Sequence, residues 1–309
     1  PGQNKSYLKC LIMSDFDFRG LGVALVTPFD DKGKVDYNCL EMLVRRLVAG
    51  NADYIVVLGT TAETPALTSE EKVKIRNIVA DTVAGKIPLV LGCGGNCTRT
   101  LCEELHEWDG KGYTAILSVT PFYNKPSQKG LYEHFKAVAK ASPLPVLLYN
   151  VPGRTGVNML PDTTLALAKE VPGIAGIKEA SGNLNQIQEI IAKAPQNFAV
   201  ISGDDALTVD LAAMGARGVI SVIGNAAPNV WSRLTHLALD GKVKEAKEMY
   251  MGLDALEKML FAEGNPAGIK ALLGVMGLCE NVLRLPLVPV SEQLTERIRE
   301  FVVTYPNLC

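Results

Sequence analysis

Lys178 closes the run Gly173-Ile-Ala-Gly-Ile-Lys178, in which every earlier residue is apolar or glycine. Such a run reads as a short buried strand. A lysine in such a run is expected to be stripped of water. A desolvated amine is the nucleophile that Schiff-base chemistry on a carbonyl compound requires. A strand-end lysine can equally lay its stem along apolar surface and keep its charge in water, so this segment alone does not decide. Tyr149 ends a second apolar run and leads into Asn150-Val-Pro-Gly-Arg-Thr-Gly156. A phenol beside a reacting lysine serves as general acid and base, although a rim tyrosine with a solvated hydroxyl is the plainer situation. In Gly59-Thr60-Thr61-Ala62-Glu63, successive amides and two hydroxyls can cradle a carboxylate, or they can satisfy their own backbone. Arg154 offers a planar fork to a substrate carboxylate, with a solvated loop arginine as its alternative.

These residues need elements to hold them. Short apolar runs at 21–26, 53–58, 87–91, 113–119, 145–149, 173–177, 198–201 and 217–221 predict strands. Helical periodicity lies between them at 36–49, 69–84, 97–110, 128–140, 161–170, 182–193 and 204–214. Thr68-Ser-Glu-Glu71 predicts a capping box, and Asp204-Asp205 a helix N-cap. Apolar strands alternating with amphipathic helices predict parallel β/α repetition, with strands buried on both faces. A closed (β/α)8 TIM barrel fits the strand number better than an open doubly wound sheet. Helical patterns at 228–239, 243–261, 265–276 and 291–303 follow. The expected organisation is an N-terminal extension over 1–13, a catalytic barrel over 14–225 and a C-terminal helical extension over 226–309. Active sites of such barrels lie at the C-terminal strand ends. Those ends carry Thr27, Gly59-Thr60-Thr61, Thr120-Pro-Phe-Tyr123, Tyr149-Asn150, Lys178, Gly203-Asp204 and Ile220-Ser221. The set suits a small carbonyl compound held against one amine, and suits a metal poorly.

Composition narrows the class. The 309 residues are 48% hydrophobic and 21% charged, with a net charge of −2. That balance gives no electrostatic footprint for nucleic acid or an anionic membrane, and no apolar run approaches a membrane span. Seven cysteines and three widely spaced histidines form neither a disulfide framework nor a ligand motif. A cytoplasmic protein with reduced thiols is expected. No dinucleotide fingerprint, Walker lysine or nucleophile elbow occurs.

Together, Val-Thr-Pro-Phe29, Gly-Thr-Thr-Ala-Glu63, Val-Thr-Pro-Phe-Tyr-Asn-Lys-Pro-Ser127, Leu-Tyr-Asn-Val-Pro-Gly-Arg-Thr-Gly156, Gly-Ile-Lys-Glu-Ala180 and Ser-Gly-Asp-Asp205 resemble one family. It is the pyruvate-dependent class I aldolases, which include dihydrodipicolinate synthases and N-acetylneuraminate lyases. The resemblance runs from about Gly22 to Pro289. It implies a pyruvate imine on Lys178, with no added cofactor. Thr60 and Thr61 would bind the pyruvate carboxylate, and Thr61 would join Tyr149 and Tyr123 in a proton relay. Gly203 and Ile220 would complete the substrate site. The residue matching Tyr123 reaches a neighbouring subunit's site in the family, which implies a homo-oligomer, with a dimer of dimers expected. Arginine at the position of Arg154 marks the synthases, which use it to grip the carboxylate of aspartate semialdehyde. The implied reaction condenses pyruvate with L-aspartate 4-semialdehyde to 4-hydroxy-tetrahydrodipicolinate, on the branch to diaminopimelate and lysine.

The chain departs from the family pattern in two places. The glycine after the threonine pair is Ala62 here. At the positions where lysine-inhibited members bind lysine stand Ser69, Lys72, Asn96, Thr100 and Phe122, of which only Asn96 keeps the family identity. With a cation at Lys72 and no acid, weak or absent inhibition is expected. The alternatives are a pyruvate-dependent aldolase acting on a sugar acid such as N-acetylneuraminate or a 2-keto-3-deoxy acid, a non-catalytic barrel, and a metal-dependent lyase.

Overall fold

The computed structural model describes residues 16–305 and Leu308; the expected extension over 1–13 lies outside the described residues. Eight parallel strands pair in chain order and close into a barrel. They are β1 Gly20–Ala24, β2 Tyr54–Val57, β3 Leu89–Gly92, β4 Ala115–Val119, β5 Val146–Asn150, β6 Ile174–Glu179, β7 Ala199–Ser202 and β8 Gly218–Ser221. All eight are buried from end to end or over all but the last residue. Burial on both faces is why the sequence shows continuous apolar runs rather than alternation.

Helices α1 Tyr37–Ala49, α2 Ser69–Val83, α3 Thr98–Glu107, α4 Gln128–Ala141, α5 Pro161–Glu170, α6 Leu184–Lys193 and α7 Thr208–Met214 fall between the strands. Their starts are written locally. Asp36, Thr68, Ser127 and Asn183 each accept a backbone amide of the first turn, and Thr68 with Glu71 completes the capping box. Pro161 begins α5, where its missing N–H costs nothing.

One start, one loop and one interior differ from expectation. The helix expected from 204 begins at Thr208, because Asp204 accepts the Ala206 amide at 3.0 Å and closes a local turn instead of capping. A single helical turn at Pro152–Thr155 carries Arg154 in what reads as a loop. The helix expected over 243–261 is two, α9 Val243–Met251 and α10 Asp254–Ala262, parted at Gly252. Helices α8 Pro228–Leu239, α11 Ala267–Val275 and α12 Glu292–Thr304 complete the set.

The described residues form two compact units, one of 20–87 with 221–305 and Leu308, the other of 16–19 with Pro88–Ile220. In the first, α8 packs on β1, and Trp231 and Leu234 of α8 are fully buried. Buried Asn225 stitches the end of β1 in place. Its amide donates to the carbonyls of Ala24 at 2.8 Å and Val222 at 3.0 Å, and its oxygen accepts the Val26 amide. In the second, α3, α4, α5 and α6 lie side by side outside β3 to β7.

Candidate active site

Within the unit Pro88–Ile220, β5 and β6 bring Tyr149 and Lys178 into register as direct neighbours. Lys178 is 6% exposed, and its Nζ lies 4.5 Å from the centre of the Tyr149 ring. The pairing depends on an irregularity. Val146 pairs with Ile174, but Leu147 pairs with Gly176, so Ala175 is an extra residue in β6. Without that bulge Tyr149 would face Ile177, and Lys178 would turn to the opposite face. Gly176 allows the following close approach, since a Cβ there would stand 2.3 Å from the Ala199 carbonyl.

Gly203, at the end of β7, makes room for the lysine stem. A Cβ on it would lie 3.0 Å from Lys178 Cε and 2.7 Å from Ala180 Cβ. Next to it, burial raises the Asp204 carboxyl above the usual carboxylate range, partly offset by the Ala206 amide. Ile220 is a buried residue of β8, 1% exposed.

The ends of β5 and β6 are locked by buried polar groups that sequence reasoning left aside. Glu179, fully buried, takes Asn150 Nδ2 at 3.1 and 3.2 Å, Gln186 Nε2 at 3.0 Å and the Ser181 amide at 2.8 Å. Asn150 in turn accepts the Met159 amide, and Asn158 and Gln186 exchange side-chain bonds. The carboxylate is thereby satisfied without a cation, and the segment after Arg154 is tied to the strand ends. Asn150 and Glu179 each directly follow a candidate residue, which was the available signal.

Arg154 is exposed on its single helical turn, which ends in left-handed Gly156. Lys125 lies over that glycine, its Cε 3.1 Å from where a Cβ would be. Lys125 belongs to the loop after β4, where it and Tyr123 hold the left-handed region at φ 51° and 75°. Tyr123 is 88% exposed. A bulky residue on strained backbone that projects its ring into solvent is a functional signal in its own right.

In the other unit, Thr60–Ala62 forms a 3-10 turn after β2, with half-buried Thr60 and with Thr61 2% exposed. The amides of Ala62 and Glu63 are used within the turn, and by its geometry those of Thr60 and Thr61 have no partner there. Leu58 and Glu63 flank it at φ 57° and 54°. Ala62 itself sits in right-handed backbone, so the turn does not require glycine, and its carbonyl accepts Thr27 Oγ1 at 2.8 Å.

Thr61 Oγ1 accepts Asn265 Nδ2 at 3.1 Å. Two residues on, Glu63 pairs with Lys270 at 2.5 Å, both side chains at 0% exposure. Burial holds Lys270 below the usual lysine range, against the pull of Glu63. Lys270 Nζ also donates to the Val282 carbonyl at 2.8 Å and stands 4.0 Å over the Phe29 ring. The second Glu63 oxygen accepts the Arg284 amide, and the Arg284 guanidinium grips Glu71 with two bonds of 2.7 Å. Sequence reasoning missed Asn265, Lys270 and Arg284. A lone lysine in the apolar stretch Ala267-Gly-Ile-Lys270-Ala-Leu-Leu273 was the signal for the second.

The model of the dihydrodipicolinate synthetase family matches residues 17–304. The chain belongs to that family. The 4-hydroxy-tetrahydrodipicolinate synthase of Parabacteroides distasonis is 53% identical, over 93% of this chain and 97% of that one. The Bacillus subtilis synthase is 42% identical, over 89% and 95%. Among solved structures, the dihydrodipicolinate synthase of Thermotoga maritima superposes with a TM-score of 0.92 at 39% identity, covering 95% of this chain and all of the other. A chloride-inhibited synthase of Acinetobacter baumannii complexed with pyruvate gives 0.90 at 40%, over 93% and 98%. Among the described residues, no helix is long and apolar enough to cross a membrane.

Proposed function

We propose that this member of the dihydrodipicolinate synthetase family condenses pyruvate with L-aspartate 4-semialdehyde to 4-hydroxy-tetrahydrodipicolinate, on a covalent imine at Lys178. The observation that carries the reading is the register of Tyr149 against Lys178, with the amine over the ring. Lys178 attacks the pyruvate carbonyl and water leaves as the imine forms. The iminium draws electrons from the methyl carbon, which loses a proton and becomes the enamine. That carbon bonds to the semialdehyde carbonyl carbon, whose oxygen takes up a proton. The substrate amine then attacks the imine carbon, releases Lys178 and closes the ring.

Tyr149, Thr61 and Tyr123 pass the protons, Thr60 and Thr61 hold the pyruvate carboxylate, and Arg154 holds that of the semialdehyde. Gly203 and Ile220 shape the walls. The exposure and strained backbone of Tyr123 support a role in the site of a second copy, and hence a homo-oligomer, with a dimer of dimers expected. A cytoplasmic location accords with a small-molecule biosynthetic reaction.

Borohydride with pyruvate tests the imine. A mass adduct on Lys178 is expected, with none in Lys178→Ala; an adduct elsewhere overturns the assignment. Turnover with aspartate semialdehyde but not with N-acetylneuraminate is expected in the same preparation. The reverse preference would favour the sugar-acid aldolase.

A further inference from the structure

Two tie points join the turn that carries Thr61 to the start of α11. Asn265 Nδ2 donates to Thr61 Oγ1 at 3.1 Å, and five residues on from Asn265, Lys270 pairs with Glu63. The second tie is a buried ion pair whose partners have further fixed contacts, the Arg284 amide on Glu63 and the Val282 carbonyl on Lys270. A threonine hydroxyl has one proton to give and two lone pairs with which to accept. Asn265 permanently occupies one of those lone pairs with an amide proton that cannot be transferred. What remains is a single acceptor position and a single donor position.

We propose that Asn265 is a positioning residue that makes the Thr61 hydroxyl an unbranched proton conductor, taking one proton in and handing one on. This rests on the reading of Thr61 as a relay member. The amide occupies the lone pair at which a water could donate a competing proton, and it restricts the rotation of the hydroxyl. The Glu63–Lys270 pair keeps donor and acceptor at their spacing, since neither of its members is reached by solvent to soften the contact.

Asn265→Asp supplies the test, because a carboxylate in the same place accepts and takes the only proton of Thr61, while a carboxylic acid donates as the amide does. With pyruvate and aspartate semialdehyde, kcat should fall tenfold or more at pH 8 and recover as the pH is lowered through the titration of the new carboxyl. That adds a limb to the kcat profile which Asn265→Ala lacks. Combining either variant with Thr61→Val should cost no more than Thr61→Val alone. An unaltered pH profile in Asn265→Asp would mean that the position accepts from Thr61, and the proposal fails. Additive losses of Asn265→Ala and Thr61→Val overturn it equally, should Asn265→Asp not fold. Borohydride trapping of pyruvate is run on each variant. Loss of the adduct in the wild-type protein sinks the imine reading itself, whereas a retained adduct with wild-type kcat in Asn265→Ala sinks only the role of Asn265.

Discussion

At the scale of single residues, one glycine and one buried pair carry much of the geometry. Gly203 is where a methyl has nowhere to go but into the Lys178 stem, 3.0 Å away, and into Ala180. Gly203→Ala is therefore expected to slow imine formation strongly while costing about 1–3 kcal/mol of stability by overpacking. The rate of borohydride-trappable adduct measures the first, and a urea midpoint the second. The Glu63–Lys270 pair makes an opposite kind of prediction. Lys270→Met leaves Glu63 charged, buried and short of a donor, at a cost of roughly 3–5 kcal/mol. The double variant Glu63→Gln with Lys270→Met should regain a large part of that in the same denaturation series, because no uncompensated charge remains. A double variant no more stable than Lys270→Met contradicts this account.

At the scale of elements, the bulge at Ala175 matters more than any propensity. It shifts β6 by one residue against β5 and so turns Lys178 to the face that Tyr149 occupies. Helix α4 shows how burial of one titratable group reaches stability. His134 is 4% exposed, its Nδ1 is bonded to Thr98 Oγ1 at 2.8 Å, and burial pushes its pKa down to about 4. Folded, the ring stays neutral; unfolded, it takes a proton below about pH 6.5. Its contribution is thus fully present above that value and is lost as the pH falls towards 4, by about 2 kcal/mol between pH 7 and 5. The acid-side fall in unfolding free energy, measured by urea titration, should be shallower by that amount in His134→Gln than in the parent.

At the scale of the whole molecule, the predictions concern more than one copy and one effector. If Tyr123 serves a second copy's site, Lys178→Ala and Tyr123→Phe should complement when refolded together. Each hybrid dimer would then hold one complete site, giving about a quarter of the parental activity in an equal mixture. No activity above the sum of the separate variants would count against the shared site. Lysine at millimolar concentration should leave the rate nearly unchanged, since Lys72 repels an ammonium and no acid compensates it among Ser69, Asn96, Thr100 and Phe122. A halved rate would refute that.

The strand order, the helices between the strands and the capping box of Thr68 with Glu71 were legible in the chain, because apolar runs and capping side chains act over a few residues. Membership of the family was legible too, since six short motifs in fixed order carry it. Tyr149 and Lys178 end consecutive strands, and that much of their pairing could be read from the chain. What made it work was not visible: one extra residue in β6, absorbed where Gly176 meets the Ala199 carbonyl. Nor did Asn265, Lys270 and Arg284 announce themselves. Their partners Thr61, Glu63 and Glu71 lie some two hundred positions away in the chain, and a hydrogen bond between such groups exists only once the fold has brought them to 3.1 Å or less. Local chemistry determined the elements and the candidate residues. Side-chain facing and the support behind each candidate were decided by contacts remote in sequence, whose geometry no local pattern encodes.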